Sequence, residues 1–381
     1  MKVLSASATL RARVALRPRS TVLVDRHGEL CAEELLDLVR LHRRRRRTRA
    51  LPLAELPPTA PLRQVLVTAL AGNGTLEVRS SGTTGPPRLQ RRGPLSPAQL
   101  LTLGDLARRV GLRPGRSIAS LVPGVRAQGL LVALGALGLG APLVDLSHLT
   151  GPERVALLHR SSPDLLTGLP VHLEDLLRAE QVLGRERPLR IPRVISGSDV
   201  LSPALRADLA RRFRARVHDV YGTTETGSLC VDGRPMHGVH LRELDGLLCA
   251  RTPFTGGKEL VTDRGEIAPD GTVHVLGRAD GSVSSGGMLH DPAATVRALR
   301  SHPGVAAARL HVVPDERFGV RTLAEVSLSP AAPGTVPPGA EELRALVRDR
   351  VGAAAVPREV RIAGDGEPES PGPAGLSSPG R

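Results

Sequence analysis

The feature that most constrains this chain is a series of short apolar runs alternating with helices whose starts are marked in the sequence. Ile118 to Val122, Pro142 to Leu146, Arg193 to Ile195 and Val217 to Val220 have the length and flanks of buried strands. Ser96-Pro97 sets an N-cap hydroxyl before a proline at the first helical position, and Leu100, Leu103, Ala107 and Val110 then share one helical face. Ser202-Pro203 repeats the device ahead of Leu205, Leu209 and Phe213. Gly129 to Leu146, the most apolar stretch, is short and Gly-rich for a bilayer span and reads as a buried helix followed by a strand. The alternation predicts an α/β fold, a large N-terminal domain with mainly parallel sheets flanked by helices.

From about Gly265 the pattern changes. Strand signals at Thr272 to Leu276, Arg309 to Val313 and Leu323 to Leu328 flank two helices, one starting at Asp291-Pro292 and one over Ala340 to Val351. This predicts a small α+β C-terminal domain. The expected division is 1–277, 278–365 and a Pro-, Gly- and Ser-rich tail, 366–381, that reads as disordered.

The formal charge is +14, but Lys stands only at positions 2 and 258 and the many Arg are spread along the chain apart from Arg43 to Arg47. A solvated face is the favoured reading of that run, a membrane or nucleic-acid contact the alternative, and no nucleic-acid partner is expected. Cys31, Cys230 and Cys249 show no C-x-x-C spacing, which supports neither a disulfide framework nor a zinc site. With no secretory leader pattern and no transmembrane run, the expected location is the cytoplasm. With three Phe, one Tyr and no Trp, stacking on a base or aryl group has few candidates beside Tyr221.

Two segments carry chemistry. Ser80-Ser81-Gly82-Thr83-Thr84-Gly85-Pro86-Pro87-Arg88 follows a predicted strand over Leu76 to Val78. Its glycines let backbone N–H groups approach an anion, its hydroxyls donate to phosphate oxygens, and Arg88 neutralises charge; the bland alternative is a polar turn. Asp219-Val220-Tyr221-Gly222-Thr223-Thr224-Glu225 closes a buried strand with an aromatic ring, two hydroxyls and a carboxylate, at the edge where parallel sheets hold ligands. Glu225 is suited to Mg²⁺, its alternative being a solvent-facing acid. Ser196-Gly197-Ser198 ends the strand before it.

These segments, followed by the Asp263 to Gly271 spacing, Gly277-Arg278-Ala279-Asp280 and His302-Pro303-Gly304-Val305, resemble the adenylate-forming superfamily of acyl- and aryl-CoA synthetases, peptide-synthetase adenylation domains and luciferases. The resemblance covers roughly residues 76 to 360. It implies ATP bound in the N-terminal domain, Ser196, Gly197 and Ser198 bordering adenine, Tyr221 with Gly222 and Thr223 against it, and Glu225 on Mg²⁺. Asp263 would take the ribose hydroxyls with Arg278 in support, and Asp280 would be the hinge. Thr224, Glu225 and Arg88 would act in catalysis. The implied reaction joins a carboxylic acid to AMP with loss of pyrophosphate and then to a thiol, that of CoA or of a carrier protein.

The chain departs from the family in five respects. Arg88 replaces a Lys. Arg126 replaces the family's His in Pro123-Gly124-Val125-Arg126-Ala127-Gln128-Gly129, either facing an anionic substrate group in the acid pocket or pointing to solvent. Ser284 stands where the post-hinge loop usually has Lys, and no Lys follows Lys258, although the family's catalytic Lys should fall near Pro371-Gly372-Pro373. Only 79 residues precede the glycine-rich loop, which is short for the family. The expected activity is ATP-dependent acid activation, the alternatives being a nucleotide or acyl-adenylate binder without turnover and an enzyme of the thioester-forming half-reaction alone.

Overall fold

The structure is a computed structural model that describes residues 5–45, 53–72, 76–79, 89–183, 188–286, 288–315, 317–330 and 336–363. The chain divides into two compact units, Met1–Leu289 with Glu316–Gly319, and His290–Asp315 with Val320–Arg381.

The first unit is built on a nine-stranded sheet and a separate hairpin. In chain order its strands are β1 (Thr21–Asp25), β2 (Gly28–Cys31), β3 (Leu76–Arg79), β4 (Leu89–Arg92), β5 (Ile118–Ser120), β6 (Leu143–Asp145), β7 (Leu165–Gly168), β8 (Arg193–Gly197), β9 (Arg216–Thr223), β10 (Gly227–Val231) and β11 (Arg234–Pro235). The sheet order is β11-β10-β9-β8-β7-β5-β6-β1-β2, and the interior strands from β9 to β1 run parallel. Antiparallel hairpins form both edges, β1 with β2 and β9 through β11.

Successive strand residues feed opposite cores. Ile118, Leu143 and Leu165 join helices Ala6–Leu16, Ala32–Arg45, Leu62–Ala71 and Ala127–Gly138 on one face. Ala119, Val144 and Leu166 join helices Gly151–Ser161, Pro170–Val182 and Pro203–Phe213 on the other. This alternation is why the strand sequences are apolar throughout. The helix starts follow local chemistry. Ser96 Oγ accepts from Gln99 N at 3.3 Å while Gln99 Oε1 accepts from Ser96 N at 2.9 Å, a closed capping box. Ser202 Oγ accepts from Leu205 N at 3.2 Å.

β3 and β4 form a two-stranded antiparallel ladder in which Arg79 pairs with Leu89. The segment expected to cradle phosphate, Ser80, Ser81, Gly82, Thr83, Thr84, Gly85 and Arg88, joins these two strands and lies outside the described residues.

A second, antiparallel sheet contains β12 (His240–Leu244), β13 (Leu247–Arg251), β14 (Glu259–Ile267) and β15 (Val273–Arg278) in that order. The strand signal at Thr272 to Leu276 is therefore the outer strand of this sheet in the first unit, and does not open the small domain. Its partner strands, hairpins with turns at Asp245-Gly246 and Gly256-Gly257, were not read from the sequence. Two short strands, β16 (Val283–Ser285) and β17 (Met288–His290), follow.

The second unit carries a three-stranded sheet, β18 (Val305–Asp315), β19 (Gly319–Leu328) and β20 (Glu359–Ala363), with β19 and β20 parallel. Helices Pro292–Arg300 and Ala340–Arg350 supply Leu299, Leu343 and Val347 to its core with Val326 and Val360. The first helix starts at Asp291, whose Oδ1 accepts from Ala293 N at 2.8 Å. The tail 366–381 lies outside the described residues.

The Arg43 to Arg47 run is partly used in the fold. Arg43 Nε donates to Ala71 O at 3.1 Å and Arg43 Nη2 to Leu70 O at 3.0 Å, covering carbonyls at the end of helix Leu62–Ala71. Arg44 and Arg45 are exposed, and Arg46 and Arg47 lie outside the described residues. Among the described residues no helix is long and apolar enough to cross a membrane.

Candidate nucleotide and acid site

Tyr221, on the edge side of the parallel strands, and Asp263, on β14, meet across the two sheets. Tyr221 Oη donates to Asp263 Oδ2 at 2.7 Å and approaches Thr262 Oγ1 at 3.0 Å. Thr262 spends its own proton on Leu248 O at 3.0 Å, so it can only accept. The single phenol proton is drawn to the carboxylate by charge as well as by distance. Arg278 is the cross-strand partner of Asp263, with Nη1 2.9 Å from Oδ1. Asp263 is 3% exposed. Burial raises its pKa beyond what Arg278 and Tyr221 pull back. Burial, reinforced by the Asp263 charge, raises the Tyr221 phenol as well.

Asp280 stands two residues beyond Arg278, and its Oδ1 accepts from Ser282 N at 3.0 Å and Ser282 Oγ at 2.6 Å. Burial works against its charge, but the Ser282 bonds and Arg278 hold its pKa below the usual carboxylate value.

The strand expected to end near Tyr221 continues to Thr223 and turns back as a hairpin, Thr223 pairing with Gly227. Thr224, Glu225 and Thr226 make the link. Thr223 Oγ1 and Thr226 Oγ1 lie 3.0 Å apart, and Thr252 Oγ1 donates to Thr226 O at 3.1 Å. A Cβ on Gly222 would fall 2.4 Å from Gly227 O, so the two strands close on a bare backbone there. Glu225 is exposed at the tip. Among the described residues no group of three or more His, Cys, Asp or Glu side chains converges to hold a metal.

Ser196 and Gly197 close β8 and Ser198 follows. Ser196 is fully buried, and its Oγ has no hydrogen-bond partner. Ser198 adopts φ +67°, a left-handed conformation uncommon outside glycine, and its Oγ donates to Gln128 Oε1 at 2.9 Å. A Cβ on Gly197 would come within 3.0 Å of Val220 O.

The Pro123 to Gly129 segment is a compact unit. A Cβ on Gly129 would lie 2.2 Å from Pro123 O, and Arg126 N donates to that same oxygen at 3.0 Å. Arg126 precedes helix Ala127–Gly138 and is exposed, though desolvation still lowers its pKa.

The geometry thus joins Tyr221, Asp263, Arg278 and Asp280 in one polar chain, and ties Ser198 to the Arg126 segment through Gln128. It also adds Thr262, Thr226 and Gln128, which sequence reasoning passed over. Gln128 was the one with a signal, since it sits inside the Pro123 to Gly129 motif. Cys230 is buried, and its thiol is pushed up to about 12 by that burial.

Residues 80–259 match the family model for the AMP-binding enzyme, and residues 297–370 match that for the AMP-binding enzyme C-terminal domain. A probable 2-succinylbenzoate–CoA ligase of Mycobacterium tuberculosis (strain ATCC 25618 / H37Rv) is 30% identical over 314 residues, covering 75% of this chain and 79% of the relative. Among solved structures, the amide bond synthetase McbA from Marinactinospora thermotolerans superposes with a TM-score of 0.74 at 18% identity, covering 94% of this chain and 96% of that one. A double mutant of the o-succinylbenzoate CoA synthetase from Bacillus subtilis gives 0.73 at 16% identity, covering 95% of each chain. The same synthetase has also been solved with ATP and a magnesium ion, at a TM-score of 0.59 and 16% identity, covering 93% of this chain and 95% of that one. With the two-unit fold, the parallel sheet and the ordered motifs already in place, these matches show that the chain belongs to the AMP-binding enzyme family.

Proposed function

We propose that this chain activates a carboxylic acid with ATP and passes the acyl group to a thiol, that of CoA or of a carrier protein. The acid's carboxylate oxygen attacks the α-phosphorus, the bond to the leaving pyrophosphate breaks, and an acyl-adenylate forms. The thiolate sulfur then attacks the acyl carbon, AMP leaves and a thioester remains. The observation that carries the reading is the Tyr221–Asp263–Arg278 constellation beside the C-terminal end of the parallel strands. It offers an aromatic face for a base and a fixed carboxylate for ribose hydroxyls. The relative's name, a CoA ligase, points the same way.

The residues take these roles. Ser196, Gly197 and Ser198 border the base; the orphaned Ser196 hydroxyl is a polar group that a ligand would satisfy. Gly222 and Thr223 shape the wall beneath it, and Asp280 is the hinge. Ser80, Ser81, Gly82, Thr83, Thr84, Gly85 and Arg88 take the phosphates. Glu225, an exposed hard-oxygen donor beside Thr224, fits Mg²⁺ when the remaining ligands are phosphate and water, and that ion would neutralise charge on the leaving pyrophosphate. The chain's own part is to orient the acid and phosphate in line and keep that geometry fixed.

A second reading, binding without turnover, is favoured by one observation: no Lys stands after Lys258. Loss of one preorganised cation costs ~3 kcal/mol, roughly 100-fold in rate. Acid-dependent exchange of labelled pyrophosphate into ATP, run over a panel of acids, tests both. Slow exchange with an acid of the right class supports adenylation; ATP binding by calorimetry with no exchange and no AMP from any acid supports the second reading.

A further inference from the structure

The segments that follow β5, β6 and β7 carry three basic side chains for which nucleotide binding gives no role. These strands are neighbours, Ser120 of β5 standing beside Asp145 of β6 and Thr167 of β7. The segments leaving their C-terminal ends therefore emerge side by side, at the edge where parallel sheets bind ligands. Arg126 comes from the first, Arg154 from the helix after the second and His172 from the third. The first and third also supply a small buried apolar cluster, Val122, Leu169 and Val171.

The backbone at Arg126 and the side chain of Arg154 are held in place. Arg126 follows the turn locked by Gly129 against Pro123 O. Arg154 Nε donates to Leu146 O at 3.1 Å and Arg154 Nη2 to Ser147 O at 3.4 Å. His172 Nδ1 is buried and has no hydrogen-bond partner. Burial and the charges of Arg154 and Arg126 push the His172 pKa down to about 4, so the imidazole is neutral. The opposing carboxylate, Asp175, is ion-paired at 2.6 Å with Arg317 of the same unit. A neutral imidazole with an unsatisfied buried nitrogen in the field of two guanidinium groups is a costly arrangement, and an anion accepting a bond there would relieve it.

We propose that the acid activated by this chain carries a second carboxylate at the far end of an apolar body, held by Arg126 with His172 as a neutral N–H donor and Arg154 supplying field. Planar guanidinium matches a carboxylate in two parallel bonds. The Gln128–Ser198 bond, two residues along the chain, ties this segment to the end of β8 proposed to border the base. The inference rests on the reading that acid and nucleotide meet there.

The test uses paired acids of equal length, pentanedioate against pentanoate and hexanedioate against hexanoate, without CoA. Dissociation constants are measured by calorimetry with a non-hydrolysable ATP analogue, and kcat/KM by pyrophosphate exchange. The diacid should be favoured at least about tenfold. Arg126→Gln should abolish most of that preference, Arg126→Lys should retain part of it, and His172→Gln should reduce it independently. A binding preference of this kind without exchange keeps the second-carboxylate inference and removes adenylation. Exchange that favours neither acid, with a ratio unmoved by Arg126→Gln, overturns the inference and keeps adenylation. In a separate thioester assay with CoA added, an Arg126→Gln effect confined to the KM for CoA assigns the anion to a CoA phosphate and overturns it too, as does no binding or exchange with any pair.

Discussion

Asp263 and Arg278 face each other as direct partners across β14 and β15, with the guanidinium 2.9 Å from a carboxylate that is almost completely buried. Removing the cation leaves that carboxylate without its main compensation. Arg278→Ala should lower stability by about 3 kcal/mol in urea melts, and the same change in an Asp263→Asn background should cost much less. Equal losses in both backgrounds would show that the pair is not coupled.

Tyr221 is the chain's one tyrosine, so phenol absorbance reports a single group. Its folded pKa is raised above the ordinary 10.0 by burial and by Asp263. The unfolded phenol ionises first, so stability is full below that value and falls as pH rises past it. Alkaline titration followed at 295 nm should show no phenolate in the native protein, then a step coincident with unfolding. A smooth native titration near pH 10 would contradict the Tyr221–Asp263 bond.

Asp219 lies beside Asp232, whose carboxylate takes the nearby bonds from His218 Nδ1 and Asp219 N at 2.8 and 2.9 Å. Burial lifts Asp219 to about 6, despite Arg206. A raised acid contributes stability that is whole below its unfolded value and lost as pH rises through about 6. Asp219→Asn should therefore exceed the parent by about 2 kcal/mol at alkaline pH, with the gap closing toward acid. Guanidinium melts at the two extremes measure it.

His172 has the opposite dependence. Its folded pKa is depressed from 6.5 to about 4 by burial and two guanidinium groups, so its contribution is present above 6.5 and lost as pH falls toward 4. Imidazole proton shifts in NMR should show His172 still neutral near pH 5, and Arg154→Gln should raise its midpoint.

Gly222→Ala tests the closed hairpin. The added methyl meets Gly227 O, a backbone atom that cannot swing away, so a loss of about 2 kcal/mol and weaker ATP binding are expected. Thermal melts and calorimetry read the two effects separately.

What the sequence revealed was local. The helices after Ser96, Ser202 and Asp291 start where read, because an N-cap and a following proline act over three residues. The buried strands were legible from their two-sided apolarity. Less so were features made by distant partners: Glu180, fully buried in a helix, holds Leu189 N and Arg212, and neither contact leaves a mark in the neighbouring residues. The same holds for the candidate site. Tyr221, Asp263 and Arg278 stood out through ordered motifs, whereas His172 stands out only through its unpartnered buried nitrogen and the field of two arginines from other segments.

The hairpins that finish the nine-stranded sheet bear on how the protein behaves in company. At one end the outermost strand is Arg234–Pro235, two residues long, and Pro235 has no amide hydrogen to offer a neighbouring chain. A sheet that stops this abruptly gives a foreign strand almost nothing to copy, which disfavours self-association through that edge even in a crowded cell.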